Sequence, residues 1–218
     1  MTFLEPARIV LLTSIALLGI CNSPRNAARQ GSRIAMSGPV AGYEVVRSYP
    51  HDPKAYTQGL VYQDGFLYES TGLFGQSSLR KVDLETGAVI KKVDLVPRFF
   101  GEGLALFKGR MFQLTWTSQV GFIYDLSTFD RIGNFSYVGE GWGLTQDGNS
   151  LIMSDGTDRL RFLDPETQKT RRDLRVRNGD QPLVALNELE FIKGQIYANV
   201  YQTDRIARIE PDSGRVAS

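Results

Sequence analysis

Gly59-Leu60-Val61-Tyr62, then Asp64-Gly65, then Phe66-Leu67-Tyr68, decides the fold, because the same order of features returns three more times along the chain. The later openings are Gly103-Leu104-Ala105-Leu106, Gly143-Leu144-Thr145 and Glu188-Leu189-Glu190-Phe191. Each is followed by a turn ending in glycine, Lys108-Gly109, Asp147-Gly148 or Lys193-Gly194, at intervals of 44, 39 and 46 residues counted from Gly65. Such dipeptides suit two-residue hairpins, because their backbone tolerates positive φ. A second apolar strand comes next: Met111-Phe112-Gln113, Leu151-Ile152-Met153 and Ile196-Tyr197-Ala198. The third strand ends each time in an acidic residue that opens a turn, at Asp83, Asp125, Asp164 and Glu210. In three units a fourth strand follows, over residues 88–95, 131–137 and 170–176.

Four short antiparallel strands per unit at this spacing predict the blades of a β-propeller, since one small sheet buries its faces only against a neighbouring blade. No 3.6-residue apolar period runs through the units, which excludes a helical solenoid. The segment Tyr43–Tyr49 has the composition of a fourth strand and is expected to complete the last blade of the ring. Arg215-Val216-Ala217-Ser218 reads as the start of another fourth strand, so a further blade is expected to be missing or incomplete.

Composition supports a packed all-β domain: 42% hydrophobic and 22% charged residues, with 22 Gly among 12 Phe and 9 Tyr. A net charge of +1 offers no field for nucleic acid or an anionic membrane. One Cys (Cys21) and one His (His51) exclude an internal disulfide framework and a Cys/His zinc site. At the N-terminus, the apolar run Ile9–Cys21 with a basic residue before it has the form of a secretory signal, too short for a comfortable span. The organisation read here is a signal over residues 1–21, a polar linker over 22–42 and the propeller domain over 43–218. Export to the periplasm or outside follows, with lipidation at Cys21 as the lesser alternative because Ile20 precedes it; otherwise no stable membrane association is expected.

The first strand of a propeller blade lines the central channel, so residues at its mouth converge from distant parts of the chain. Just before each repeated pair stand Gln58, Glu102, Trp142 and Asn187. The ends of the second strands add Thr71, Trp116, Asp155 and Tyr201. Glu102 lies between glycines and after Phe99-Phe100, where an apolar wall raises a carboxyl toward the range a general acid/base needs. Trp116 and Trp142 suit an aromatic box for a compact or cationic group. Gln58 and Asn187 donate and accept hydrogen bonds together. Asp155 reads as a turn residue, and His51, in a proline-fixed loop, as structural.

Tyr49-Pro50-His51-Asp52-Pro53 with Tyr56-Thr57-Gln58-Gly59-Leu60, Gly101-Glu102-Gly103-Leu104, Leu114-Thr115-Trp116, Gly139-Glu140-Gly141-Trp142-Gly143-Leu144 and Leu186-Asn187-Glu188-Leu189-Glu190 resemble the plant and bacterial glutaminyl-peptide cyclotransferases. The resemblance covers Tyr43 to the C-terminus. It implies a five-bladed, metal-independent propeller with no cofactor, acting on peptides that begin in Gln and releasing ammonia as pyroglutamate forms. It also implies Glu102 as the proton-transfer residue and Gln58, Phe100, Trp116, Trp142 and Asn187 as the substrate pocket. Tyr201 stands where an aromatic, often Trp, is expected. The resemblance also implies a fifth blade that carries a Lys near a Trp-Pro pair, and residues 1–218 contain no Trp-Pro pair. A monomer is expected, with peptide or protein substrates as partners. Two other classes remain open: a calcium-dependent propeller hydrolase using Glu102, Asn187 and Asp155 as oxygen ligands, and a propeller that only binds peptides.

Overall fold

Period-two alternation and glycine turns build the blades. The computed structural model describes residues 39–218, none of them helical. The first blade is β1 (Thr57–Gln63), β2 (Phe66–Thr71), β3 (Ser78–Asp83) and β4 (Val89–Asp94), paired antiparallel in that order. β5 (Gly101–Phe107), β6 (Arg110–Thr115), β7 (Val120–Asp125) and β8 (Arg131–Ser136) make the second. β9 (Leu144–Gln146), β10 (Leu151–Ser154), β11 (Arg159–Leu163) and β12 (Thr170–Arg175) make the third. A small hairpin, β13 (Arg177–Asn178) with β14 (Gln181–Pro182), precedes a three-stranded sheet of β15 (Leu186–Ile192), β16 (Gln195–Val200) and β17 (Arg205–Ile209). The described residues therefore form a propeller-like array of four blades plus the extra hairpin, and the expected count of five is not reached within them.

The inner strands β1, β5, β9 and β15 stand next to one another. Glycine permits their approach: a Cβ on Gly59 would lie 2.5 Å from Leu104 N, and one on Gly103 would lie 2.5 Å from Leu144 N and Trp142 O. One on Gly143 would overlap Asn187 O. In the fourth unit the aligned residue is Glu188, whose Oε1 accepts Leu60 N–H at 3.3 Å and so ties β15 to β1.

Apolar clusters fill the seams between blades. Leu79, Leu104, Met111 and Phe122 join the first two; Phe112, Leu114, Leu144 and Met153 join the second and third; Leu160, Leu174, Leu186 and Leu189 join the third and fourth. Burial drops at the outermost strands: β5 and β10 are buried along their whole length, whereas β4 and β12 are exposed at nearly every position. Because transfer of apolar surface from water is the main favourable contribution, the inner and middle strands carry the stability.

Three expectations are corrected. Tyr43–Tyr49 forms no strand; Tyr43, Val45 and Val46 are exposed, because no strand among the described residues offers the segment's backbone a ladder. Tyr49 instead packs beside Leu60, Leu67, Val82 and Leu84 on the first blade. Asp147-Gly148 is not a two-residue hairpin: the Asp147 carboxylate accepts Asn149 N–H and Ser150 N–H, widening the turn, whereas Asp64, Lys108 and Lys193 take the positive φ of a tight one. Thr71 does not join the channel mouth, since it is buried and its hydroxyl is hydrogen-bonded to Ser78 Oγ at 2.7 Å. At the C-terminus Val216 bridges Ile209 antiparallel, as the start of a fourth strand would. The expected signal, Cys21 and the linker as far as residue 38 lie outside the described residues, and residues 39–42 of the linker are exposed and without regular structure.

Candidate active site

Glu102 is carried on β5, a strand buried along its whole length, and is itself 5% exposed. Its Oε1 accepts Gln58 Nε2–H from β1 at 2.9 Å. Burial pushes its carboxyl well above the ordinary range; the Gln58 hydrogen bond opposes that and the nearby Glu140 charge adds to it. Two residues aligned in adjacent units thus meet as one polar pair.

An aromatic wall runs beside the pair. Phe100 meets Tyr56 at 6.1 Å, Phe74 at 5.4 Å and Trp116 at 5.7 Å between ring centroids, each edge to face. Trp142 meets Tyr201 at 5.4 Å in the same manner. Gly72 leaves room for the Phe100 ring, and a Cβ on Gly156 would reach the Trp142 ring at 2.7 Å. Trp116 and Tyr201 are 36% and 50% exposed, so the wall opens to solvent at these two rings. Backbone bonds fix its parts: Trp116 N–H to Phe100 O, Gly141 N–H to Trp116 O, and Gly103 N–H to Trp142 O at 2.7 Å.

The residue that joins the two halves is Glu140, which reading by repeats passed over. Its Oε2 accepts Trp116 Nε1–H at 2.7 Å and Trp142 Nε1–H at 2.8 Å. Gly139-Glu140-Gly141 repeats the Gly101-Glu102-Gly103 pattern and was the available signal. It lies two residues before the aligned position, so the repeat register assigned it to a loop.

Asn187 is half-buried on β15, where its carbonyl accepts Ser154 Oγ–H at 2.8 Å. Asp155 faces Arg161 at 2.6 Å and Arg159 at 3.3 Å and also receives Thr157. Burial alone would raise its carboxyl, but these partners outweigh it and hold it below the usual range. A calcium set drawing on Asp155 would have to break those ion pairs, and among the described residues no three His, Cys, Asp or Glu side chains gather as a metal site. His51 Nε2 pairs with Glu69 Oε1 at 2.9 Å under the first blade.

Two further carboxyls stand half-buried on β15. Glu188 is pushed well up by burial, with the charges of Glu190 and Glu102 adding, and its Oε2 is buried without a hydrogen-bond partner. Burial raises Glu190 to about 7.

Comparison with known proteins follows the same line. Residues 12–218 match the family model described as glutamine cyclotransferase. An Arabidopsis thaliana protein named glutaminyl-peptide cyclotransferase is 42% identical over 222 residues, covering 97% of this chain and 69% of its own length. The crystal structure of Myxococcus xanthus glutaminyl cyclase superposes with a TM-score of 0.74 at 36% identity, over 80% of this chain and 74% of that one. The Neurospora crassa Pan2 WD40 domain, at 9% identity and a TM-score of 0.53 over 70% of this chain and 48% of that one, is similar in fold alone.

Proposed function

The chain belongs to the glutamine cyclotransferase family, and from that premise we propose that it converts N-terminal glutaminyl residues of peptides to pyroglutamate with release of ammonia. The observation that carries the proposal is a buried, uncharged-leaning Glu102 held by Gln58 beside an aromatic wall.

The α-amine must lose a proton and fold back onto its own side-chain carbonyl. A free α-ammonium has a pKa of about 7.7–8.0, and a carboxyl raised by burial is a stronger base than an ordinary carboxylate, so the gap that proton transfer between them must cross is narrowed. Glu102 takes the proton and the amine nitrogen attacks the side-chain carbonyl carbon. The tetrahedral intermediate then collapses as Glu102 returns the proton to the side-chain nitrogen, which leaves as ammonia. The second amine proton passes to solvent, and the five-membered lactam remains.

Trp116 and Trp142 clamp the folded side chain and limit water, which is entropy trapping in addition to proton transfer. Gln58 and Asn187 provide amide groups for the substrate amide and the developing oxyanion. Residues beyond the first lie outside the channel mouth, so the enzyme tolerates varied peptides. No step requires a metal. The apolar run Ile9–Cys21 supports action outside the cytoplasm, on exported substrates.

The test is incubation with a peptide beginning in Gln, with and without chelator, followed by mass spectrometry. Loss of one ammonia from the peptide in both samples supports the reading, and an unchanged peptide from folded protein removes it.

A further inference from the structure

Glu140 sits in the connection between β8 and β9, and hydrogen bonds hold the chain on both sides of it. Arg161 Nη1–H donates to Val138 O at 2.7 Å while its Nη2–H reaches Asp155 Oδ2 at 2.6 Å. Tyr137 donates its hydroxyl proton to Thr115 O and accepts Thr115 N–H at 2.9 Å. Gly141 N–H bonds Trp116 O at 2.9 Å, and Trp142 N–H bonds Ser154 O at 3.1 Å. The loop therefore delivers one carboxylate to a fixed point between two blades.

At that point a single oxygen, Oε2, receives both indole N–H groups. Trp116 follows β6 of the second blade and Trp142 leads into β9 of the third, so no shared strand sets their separation. Hydrogen bonds to a charged acceptor are stronger and better defined than neutral ones. They orient the polar edges of rings that are packed only in part, Trp116 being 36% exposed.

We infer that Glu140 is the positioning residue of the pocket: its Oε2 fixes the gap between Trp116 and Trp142, and with it the space for the folded N-terminal side chain. This rests on the proposed function for the identity of the occupant but not for the geometry. Glu140 also belongs to the electrostatic surroundings of Glu102. Facing Glu102 are Gln58 on β1, Glu188 on β15, Glu140 and Tyr137 from the loop between β8 and β9, with Arg161 on β11 beyond them. Of these Glu140 adds negative charge, so its neutral variant relieves Glu102.

The test uses the two tryptophans, the only ones in the chain, which give two indole N–H resonances in a 15N-labelled sample. Glu140→Ala is expected to move both upfield together and to expose both rings to acrylamide quenching. Glu140→Gln, which keeps an acceptor oxygen, is expected to move both by less, and it carries the test alone if the alanine variant does not fold. With a Gln-initial peptide, Glu140→Ala should raise KM about tenfold with a smaller change in kcat, as loss of two charge-assisted bonds would. Glu140→Gln should largely rescue KM yet shift the acid limb of kcat to lower pH, an effect that packing alone does not produce. Movement of only one indole resonance, or of neither, overturns the inference. If the unmodified protein leaves the peptide intact, the functional reading falls while the indole spectra still decide the role of Glu140.

Discussion

Gln58 Nε2 and Glu102 Oε1 are 2.9 Å apart, although 44 residues and a blade boundary separate them in the chain. The amide proton stabilises the carboxylate and works against burial, which is the larger influence on Glu102. Gln58→Leu should therefore raise the Glu102 carboxyl further. The acid limb of the kcat profile is expected to move to higher pH, opposite in direction to Glu140→Gln. A limb that stays in place or moves to lower pH would separate Glu102 from the rate.

Inner-strand glycines should tolerate no side chain. Gly143→Ala places a methyl against Asn187 O, a backbone atom with no rotamer to escape through. Overpacking of this kind costs about 1–3 kcal/mol, here at the upper end. Gly133→Ala on β8, whose Cβ would meet only the flexible Ile123 side chain at 3.5 Å, serves as the comparison. Urea midpoints of the two variants should differ clearly, and equal midpoints would contradict the close approach of β9 and β15.

The repeat was legible because turn chemistry and apolar alternation act locally, and they located β1 to β12 and β15 to β17, with strand ends up to three residues away. Register aligned Gln58 with Glu102, and the two side chains meet in one hydrogen bond. What register misses is anything that breaks it. Glu140 reaches the two indoles from a loop, and the β13–β14 hairpin has no counterpart in the other units, its Arg177 also bridging Arg215 38 residues later. Tyr43–Tyr49 has strand composition, but composition supplies no partner for its backbone. Thr71 occupies a mouth position by alignment, yet its short hydroxyl is satisfied within its own blade by Ser78.

Glu190 predicts how stability responds to acid. Burial lifts its carboxyl from 4.5 to about 7. A folded-state value above the unfolded one means that the contribution is complete below pH 4.5 and is lost as pH rises through about 7. The shift corresponds to about 3 kcal/mol at 1.36 kcal/mol per unit. Denaturant midpoints of the parent should fall across this window, and Glu190→Gln should flatten the fall. A parent and a variant with parallel pH dependence would contradict the burial of Glu190.

His51 acts in a neighbouring window. Its hydrogen bond to Glu69 raises its pKa above 6.5, against the opposing effect of burial, with Asp52 assisting and Arg80 resisting. The protonated imidazole pairs with a carboxylate that also receives Thr57 Oγ1–H at 2.5 Å. The stabilisation is present below pH 6.5 and lost as pH rises through the raised value. Tyr56, five residues on, packs on Phe100, so hydrogen-exchange protection factors of residues 51–57, corrected for the intrinsic pH dependence of exchange, should fall as pH rises above 6.5 in the parent. In His51→Asn they should be low throughout; protection factors that do not change with pH in the parent would remove the pair from the account.

The most direct test of the central claim compares the parent with Glu102→Gln, an isosteric change that keeps the Gln58 contact but carries no exchangeable carboxyl proton. Ammonia released from a Gln-initial peptide is followed at saturating substrate. The account predicts a fall in kcat of about 10²–10⁴-fold with KM little changed, as removal of a positioned proton shuttle entails. Equal rates in the two proteins would show that the proton travels by another route.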